Sequence, residues 1–220
     1  MEKLLEINGL KSWYGLSQAL FDVYLEIKQG EVVALLGRNG MGKSTTIRSI
    51  CGLISNYEGE IKFKNISIIN QPSYKIAQLG IGLVPEGRRA FTNLTVLENL
   101  TATAVEGEWN LDKVFNLFPK LAERKHQNAS TLSGGEQRRV HFARTLLQID
   151  HNCDSLGNRY MFLDEPTANL DLRFELQLIR LLKAKTKKGI GVLLIIHDLN
   201  LASKFSDRIA ILKKGKLGAF

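Results

Sequence analysis

Cysteine, proline and histidine are scarce in this chain of 220 residues, with two, four and four copies. The two cysteines, Cys51 and Cys153, stand far apart and have no CxxC spacing. That argues against a disulfide framework or a zinc site, and it suits a reducing compartment. No stretch rich in Pro, Gly or Ser divides the chain, and no segment repeats another. Linker-joined modules and solenoids are disfavoured accordingly. Long hydrophobic runs are missing too. The longest, Val32–Leu36 and Gly189–Ile196, have the length of strands and fall short of the roughly 20 residues that span a bilayer. Met1-Glu2-Lys3 opens straight into a strand-like segment and does not look like a signal peptide. Any work at a membrane is therefore expected to go through a partner protein.

What remains is an ordinary globular composition, 44% hydrophobic and 24% charged. It suffices for one compact domain or at most two small lobes. The formal net charge of +8 has two readings: attraction to nucleic acid or anionic lipid, or a merely solvated basic surface. The positive residues are scattered except in Lys183-Ala-Lys-Thr-Lys-Lys188 and Lys213-Lys-Gly-Lys216. No aromatic residues interleave with those runs as a single-strand-binding surface requires. The solvated surface is preferred, with no nucleic-acid partner.

Short apolar or alternating segments read as strands at Leu4–Ile7, Phe21–Ile27, Glu31–Leu36, Glu60–Phe63, Ile81–Val84, Tyr160–Leu163, Val192–Ile196 and Arg208–Leu212. In the second, Phe21, Val23, Leu25 and Ile27 share one face. Helical patterns fall between them at Lys43–Cys51, Val96–Ala104, Leu111–Phe118, Glu136–Gln148, Arg173–Lys185 and Leu199–Phe205. The alternation predicts an α/β core. The stretch from about 73 to 130 is more helical and is expected to form a separate lobe, leaving 1–72 and 131–220 for the rest.

Gly37-Arg-Asn-Gly-Met-Gly-Lys-Ser44 fits GxxxxGKS/T, the phosphate-binding loop, between a predicted strand and a predicted helix. Gly37, Gly40 and Gly42, with Asn39 among them, let the backbone curl so that N–H groups face phosphate oxygens. The following helix adds the positive end of its dipole. Lys43 would reach the β- and γ-phosphates, Ser44 would ligate magnesium and Thr45 would donate to the α-phosphate. Tyr160-Met-Phe-Leu-Asp-Glu165 is a buried strand ending in two carboxylates, delivered to the sheet edge where open α/β sheets bind ligands. Asp164 would hold magnesium; Glu165 would orient the attacking water and accept its proton.

Leu132-Ser-Gly-Gly-Glu-Gln137 opens a predicted helix. On its own, Ser-Gly-Gly is also the composition of a helix cap. Ser133, Gly134 and Gly135 would present a hydroxyl and bare N–H groups to an anion. Here the chain resembles the ATP-binding-cassette (ABC) ATPases, whose signature is LSGGEQ, and the resemblance covers essentially its whole length. It implies a P-loop cassette with a RecA-like mixed-sheet core, an antiparallel β subdomain and a helical subdomain. It implies ATP and Mg2+, and a second ABC subunit docked head to tail, with Ser133, Gly134, Gly135 and Gln137 on the other subunit's γ-phosphate. Tyr14 matches the aromatic that stacks on adenine, with Trp13 as its alternative. Asn169-Leu-Asp171 matches the D-loop, and Asp171 joins the nucleotide-binding set. His197 matches the switch histidine at the γ-phosphate, placed with Lys43 and Glu165 in the catalytic set.

One position departs from the family pattern: Glu86, in Val84-Pro-Glu-Gly-Arg-Arg89, stands where the Q-loop glutamine is usual. A carboxylate there is still a magnesium or water ligand. VPEGRR, Trp13-Tyr-Gly15, Leu36-Gly-Arg-Asn-Gly40 and Leu117-Phe-Pro-Lys-Leu121 resemble the branched-chain amino-acid importer branch. Arg138-Arg-Val-His-Phe-Ala-Arg144, Asp164–Asp171 and His197-Asp-Leu-Asn-Leu-Ala202 are more similar to haem- or siderophore-importer ATPases. The resemblance thus implies a peripheral motor on the cytoplasmic face of the inner membrane, with transmembrane permease subunits and an external substrate-binding protein. Branched-chain or other hydrophobic amino acids lead as cargo, followed by haem or iron-siderophore. Readings of another class are a non-transport ABC ATPase acting on DNA or ribosomes, and a nucleotide-binding module with little turnover.

Overall fold

A computed structural model describes residues 2–87, 90–149, 159–166 and 172–218. In chain order the strands and helices are β1 (Lys3–Tyr14), β2 (Ser17–Lys28), β3 (Val32–Leu36), α1 (Lys43–Ile50), β4 (Tyr57–Phe63), β5 (Ile66–Ser67), α2 (Ser73–Gln78) and β6 (Ile81–Val84). There follow α3 (Val96–Thr101), α4 (Leu111–Leu117), α5 (Pro119–Glu123), α6 (Gly134–Ile149), β7 (Tyr160–Asp164), α7 (Leu172–Thr186), β8 (Gly191–Ile195), α8 (Leu199–Phe205), β9 (Arg208–Lys213) and β10 (Lys216–Gly218).

Two sheets organise these elements. One is antiparallel, in the order β2-β1-β4-β5; the other runs β10-β9-β3-β8-β7-β6. Five strands of the second, from β9 to β6, are parallel, and β10 closes one edge antiparallel to β9. Its middle strands β3, β7 and β8 are buried throughout, as expected of parallel strands covered on both faces. β3 shows the alternation directly. Val33 and Leu35 face a core shared with β1, β2, β4 and α1. Val32, Ala34 and Leu36 face a second core built from α3, α4, α6 and α7.

Two expectations are corrected by this packing. Phe21 does not share the inward face of β2. The two-residue step of β1 from Leu10 to Ser12 is matched by a three-residue step of β2 from Val23 to Leu20. Asp22, at φ 54°, is where the register slips, and the bulge turns fully buried Leu20 inward in place of Phe21. Ile81–Val84 falls in the stretch read as a helical lobe, but β6 is an edge strand of the six-stranded sheet. Beyond Val84, α3 packs against α6, and the side chains of α3–α5 join the same hydrophobic cluster as Met161 and Leu163 of β7.

Candidate functional site

The ends of β3, β7 and β8 lie side by side in the parallel sheet, so the loops leaving them converge. Gly37–Gly42 links β3 to α1. A Cβ on Gly37 would lie 2.5 Å from the Leu212 carbonyl oxygen, and Gly42 caps α1 in a left-handed conformation, φ 101°. No other residue fits those two places without displacing backbone or core. Asn39 and Gly40 form the exposed crest between them. The first turn of α1 is anchored by Thr46, whose hydroxyl and N–H both donate to the Gly42 carbonyl, at 3.0 and 2.9 Å. Lys43 is 5% exposed. Its ammonium donates to the carbonyls of Gly37 (2.7 Å) and Arg38 (3.1 Å), so the charge lies folded across the loop. Thr45 is buried beside it and Ser44 is half-buried.

Across from the loop, Asp164 ends β7. It is 3% exposed, and its Oδ1 is buried with no hydrogen-bond partner among the described residues. Burial, chiefly, raises its carboxyl above the ordinary aspartate range. Nearby Glu86 and Glu165 push the same way, whereas the Ser44 side chain, hydrogen-bonded to it, and Arg48 oppose the rise. Ser44 and Asp164, chosen from separate motifs, are therefore brought into contact. Glu86 lies exposed just past β6, near enough to act on Asp164. Arg48 was not singled out from sequence; it sits one helical turn beyond Ser44 on α1, the i,i+4 spacing that signals a shared face.

Glu165 adopts φ 51°, unusual for a residue with a side chain. Its N–H donates to the Ile195 carbonyl (3.1 Å), extending the β7–β8 ladder. Its carboxylate pairs with Nε2 of His197, which follows the end of β8. Next in sequence, Asp198 caps α8 by accepting from the N–H groups of Asn200 (2.7 Å) and Leu201 (3.0 Å), which fixes the backbone beside His197. Tyr14 lies at the tip of the β1–β2 hairpin, paired with Ser17 and 48% exposed. Trp13 is half-buried, its N–H donating to the Asn56 carbonyl at 2.9 Å. Of the two aromatics, Tyr14 is the one presented to solvent.

Ser133 stands in a different neighbourhood. Its hydroxyl donates to Glu136 Oε2 (2.8 Å) and accepts from the Glu136 N–H (3.3 Å), while its own N–H donates to the same carboxylate (2.9 Å). This is a capping box at the start of α6. Glu136 also pairs with Arg124 at 3.5 Å. Gly134 and Gly135, half-buried, form the first turn. Gln137 does not join them as an exposed contact. It is 6% exposed, and its amide donates to the carbonyls of Ala129 (3.0 Å) and Leu132 (3.2 Å), bracing the approach to the helix. Among the described residues, the partners of Ser133 and those of Lys43 have none in common. Asp171, with Asn169, lies outside the described residues.

The sequence profile of the ABC transporter family matches residues 20–168. The high-affinity branched-chain amino acid transport ATP-binding protein BraG of Pseudomonas aeruginosa is 35% identical, over 97% of this chain and 91% of its own length. The hemin import ATP-binding protein HmuV of Bradyrhizobium diazoefficiens is 34% identical, over 100% of this chain and 83% of its own. Among solved structures, an ATP-binding subunit of an ABC transporter superposes with a TM-score of 0.82 at 28% identity, covering 98% of this chain and 88% of that one. A dimeric post-hydrolysis ATP-binding cassette bound to ADP and phosphate gives 0.80 at 28% identity, covering 98% and 97%. The chain belongs to the ABC transporter family, as one of its ATP-binding, ATP-hydrolysing cassettes.

Proposed function

We propose that this cassette powers an importer, binding ATP on the Gly37–Ser44 loop and hydrolysing it beside Glu165. The observation that carries the reading is the joining of two motifs distant in sequence: Ser44 on the desolvated Asp164, and Glu165 on His197, along one sheet edge. The loop N–H groups and the start of α1 bind the phosphates, and Lys43 exchanges its carbonyl partners for phosphate oxygens. Glu165 orients water and takes its proton; His197 holds that carboxylate and meets the γ-phosphate. Tyr14 stacks on adenine.

The residues present fit a magnesium ion, a hard cation that prefers oxygen donors and needs few from the protein. Ser44 and Asp164, whose Oδ1 lacks a partner among the described residues, would hold it with Glu86. When bound, it supplies positive charge to the β- and γ-phosphate oxygens.

Because Ser133 and Lys43 have no partners in common, we assign Ser133, Gly134 and Gly135 to the nucleotide of a second copy, with Asp171 at the same interface. Gln137 positions that segment from beneath. No helix among the described residues is long and apolar enough to cross a membrane. Permease subunits, docked on the helical part around Glu86–Leu100, supply the spanning helices, and the cassette works peripherally on the cytoplasmic face. Branched-chain or other hydrophobic amino acids are the favoured cargo, delivered by an external binding protein; the similarity to HmuV supports haem as the second reading.

Glu165→Gln tests the chemistry. ATP binding is retained and turnover falls by about 10² to 10⁴-fold, the scale of a lost general base; undiminished turnover refutes the assignment. Uptake of radiolabelled leucine against haem by the reconstituted transporter separates the two cargoes.

A further inference from the structure

The basic run Lys213-Lys-Gly-Lys216, which the chemistry of hydrolysis does not use, forms the tight turn between β9 and β10. Lys213 pairs with Lys216 across it, and Lys214 and Gly215 have φ 50° and 72°, the two positive values that a two-residue hairpin loop needs. The turn is wedged between two elements. On one side the Gly215 carbonyl accepts from the Phe21 N–H at 2.7 Å. A Cβ on Gly215 would lie 2.4 Å from the Ala19 carbonyl oxygen and 2.6 Å from Phe21 Cδ2, so the turn has no room to retreat toward β2. On the other side it grips the phosphate loop through Met41. The Gly215 N–H donates to the Met41 carbonyl at 3.1 Å, and the Lys214 N–H donates to Met41 Sδ at 3.1 Å.

Met41 passes this grip on to the crest of the loop. Its own N–H donates to the Arg38 carbonyl at 3.3 Å, the same carbonyl that accepts from the Lys43 ammonium at 3.1 Å. An alkyl side chain at 41 would offer the Lys214 N–H nothing to bond, whereas a thioether is a weak acceptor. Sulfur is also the atom of this loop that a mild oxidant attacks. Met41 is half-buried beside the exposed residues Arg38, Asn39 and Gly40, while Met161, the other methionine among the described residues, is fully buried in β7. The two therefore differ sharply in access to a small oxidant.

We infer that Met41 is a modification site, a positioning residue whose oxidation to the sulfoxide by hydrogen peroxide loosens the phosphate loop and weakens nucleotide binding. The inference rests on the proposed reading of Gly37–Ser44 as the ATP loop. A sulfur lone pair attacks one peroxide oxygen, and the S–O bond forms as the O–O bond breaks. The departing hydroxide takes the proton of the transferred hydroxyl and leaves as water; sulfur gives up two electrons and the peroxide receives them. Oxygen added toward Lys214 has no space, because an N–H···O contact alone takes about 2.7–3.2 Å and the N–H···S contact is 3.1 Å. Oxygen added on the other lone pair draws electrons from the sulfur and weakens it as an acceptor. Since the turn is held against β2, the loop is the side that gives, and Arg38 moves with it.

The test uses the full chain in a Cys153→Ser background, which leaves buried Cys51 as its one thiol. After dilute hydrogen peroxide, peptide mass spectrometry shows the sulfoxide on Met41 well before Met161. Affinity for a fluorescent ATP analogue falls about fivefold, the scale of one lost hydrogen bond, in step with the fraction of Met41 oxidised. A methionine sulfoxide reductase restores it. Met41→Leu keeps an apolar side chain without the sulfur; compared with itself before and after peroxide, it shows no change. Unchanged affinity in a chain whose Met41 is fully oxidised overturns the inference. So does an equal loss in Met41→Leu, a loss that the reductase does not reverse, or a sulfoxide that forms on Met41 no faster than on Met161. If the untreated parent does not bind the analogue, the reading of the loop falls and this inference with it.

Discussion

Gly42 closes the phosphate loop at φ 101° and starts α1. A Cβ placed there lies 2.6 Å from Leu20 Cδ2, 3.0 Å from Leu212 Cδ2 and 3.2 Å from the Ala19 carbonyl oxygen. Both leucines are buried in the core shared with β1, β2 and α1, so their methyl groups have no room to retreat. Gly42→Ala therefore combines about 1–2 kcal/mol for a left-handed backbone with about 1–3 kcal/mol for overpacking, roughly 2–5 kcal/mol in all. Gly40→Ala is the matched control. It has φ 76° with nothing within 4 Å of the added carbon, and so carries only the backbone part, about 1–2 kcal/mol. For a chain of this size each kcal/mol lowers the thermal midpoint by about 2–4 °C. Differential scanning fluorimetry should then show a fall of about 4–20 °C for Gly42→Ala against about 2–8 °C for Gly40→Ala. Titration with a fluorescent ATP analogue should show the larger loss of affinity in Gly42→Ala. Equal midpoints in the two variants would refute the packing argument.

Three further outcomes follow from the site and the core. The Asp164 carboxyl titrates above the ordinary aspartate range, so the folded chain binds that proton more readily than the unfolded one. Stability from this group then falls as pH rises above the unfolded carboxyl's range, so it is lower at about pH 7 than in acid. Asp164→Asn, free of nucleotide and metal, should melt above the parent there and converge with it below about pH 3, while losing hydrolysis; a lower midpoint at about pH 7 counts against burial as the main cause. Burial pushes the Cys51 thiol up to about 12, so in a Cys153→Ser chain iodoacetamide at about pH 8 should label it only after denaturation; rapid labelling of the folded chain would show that the site opens. Ser133→Arg in a Glu165→Gln background should abolish ATP-dependent dimers seen by sedimentation while monomers still bind nucleotide; dimers that persist place the signature outside the interface.

The edge proposed as the catalytic site was legible because its parts are short, contiguous and ordered along the chain. A glycine loop between strand and helix, and two carboxylates at a strand end, leave little choice of location once the strands are parallel neighbours. Elements held by tertiary contacts were harder to read. β1 was seen only as Leu4–Ile7, because Asn8 and Gly9 break its apolar pattern. In the fold it continues to Tyr14, paired with β2 on one edge and β4 on the other. α2 and α5, of six and five residues, are too short to stand on propensity. Gln137 was grouped with the signature's phosphate contacts, and no local pattern shows that its amide also bonds the Ala129 and Leu132 carbonyls. Nothing local marks out His141 and Arg144 within the predicted helix, and only the fold brings Asn99, Phe91 and Leu83 to them.

Placing two consecutive carboxylates at one site poses a problem that the backbone at Glu165 solves. Along a strand, neighbouring side chains point to opposite faces, so Asp164 and Glu165 in a continued strand would serve different cores. β7 ends at Asp164, which keeps its strand orientation, buried and in contact with Ser44. Glu165 then takes φ 51°, a left-handed conformation that costs on the order of 1 kcal/mol for a residue with a Cβ. Its N–H still donates to Ile195, so the turn begins only after the last ladder bond has formed. The carboxylate that emerges is only 16% exposed but reaches the more open His197, whose side chain is 45% exposed. The two groups thereby acquire opposite environments within one step of the chain. One is desolvated and short of a partner, as a cation ligand would be; the other is partnered and near water, as a base must be. The strained backbone is what separates those roles, and a relaxed, extended Glu165 would forfeit the pairing with His197.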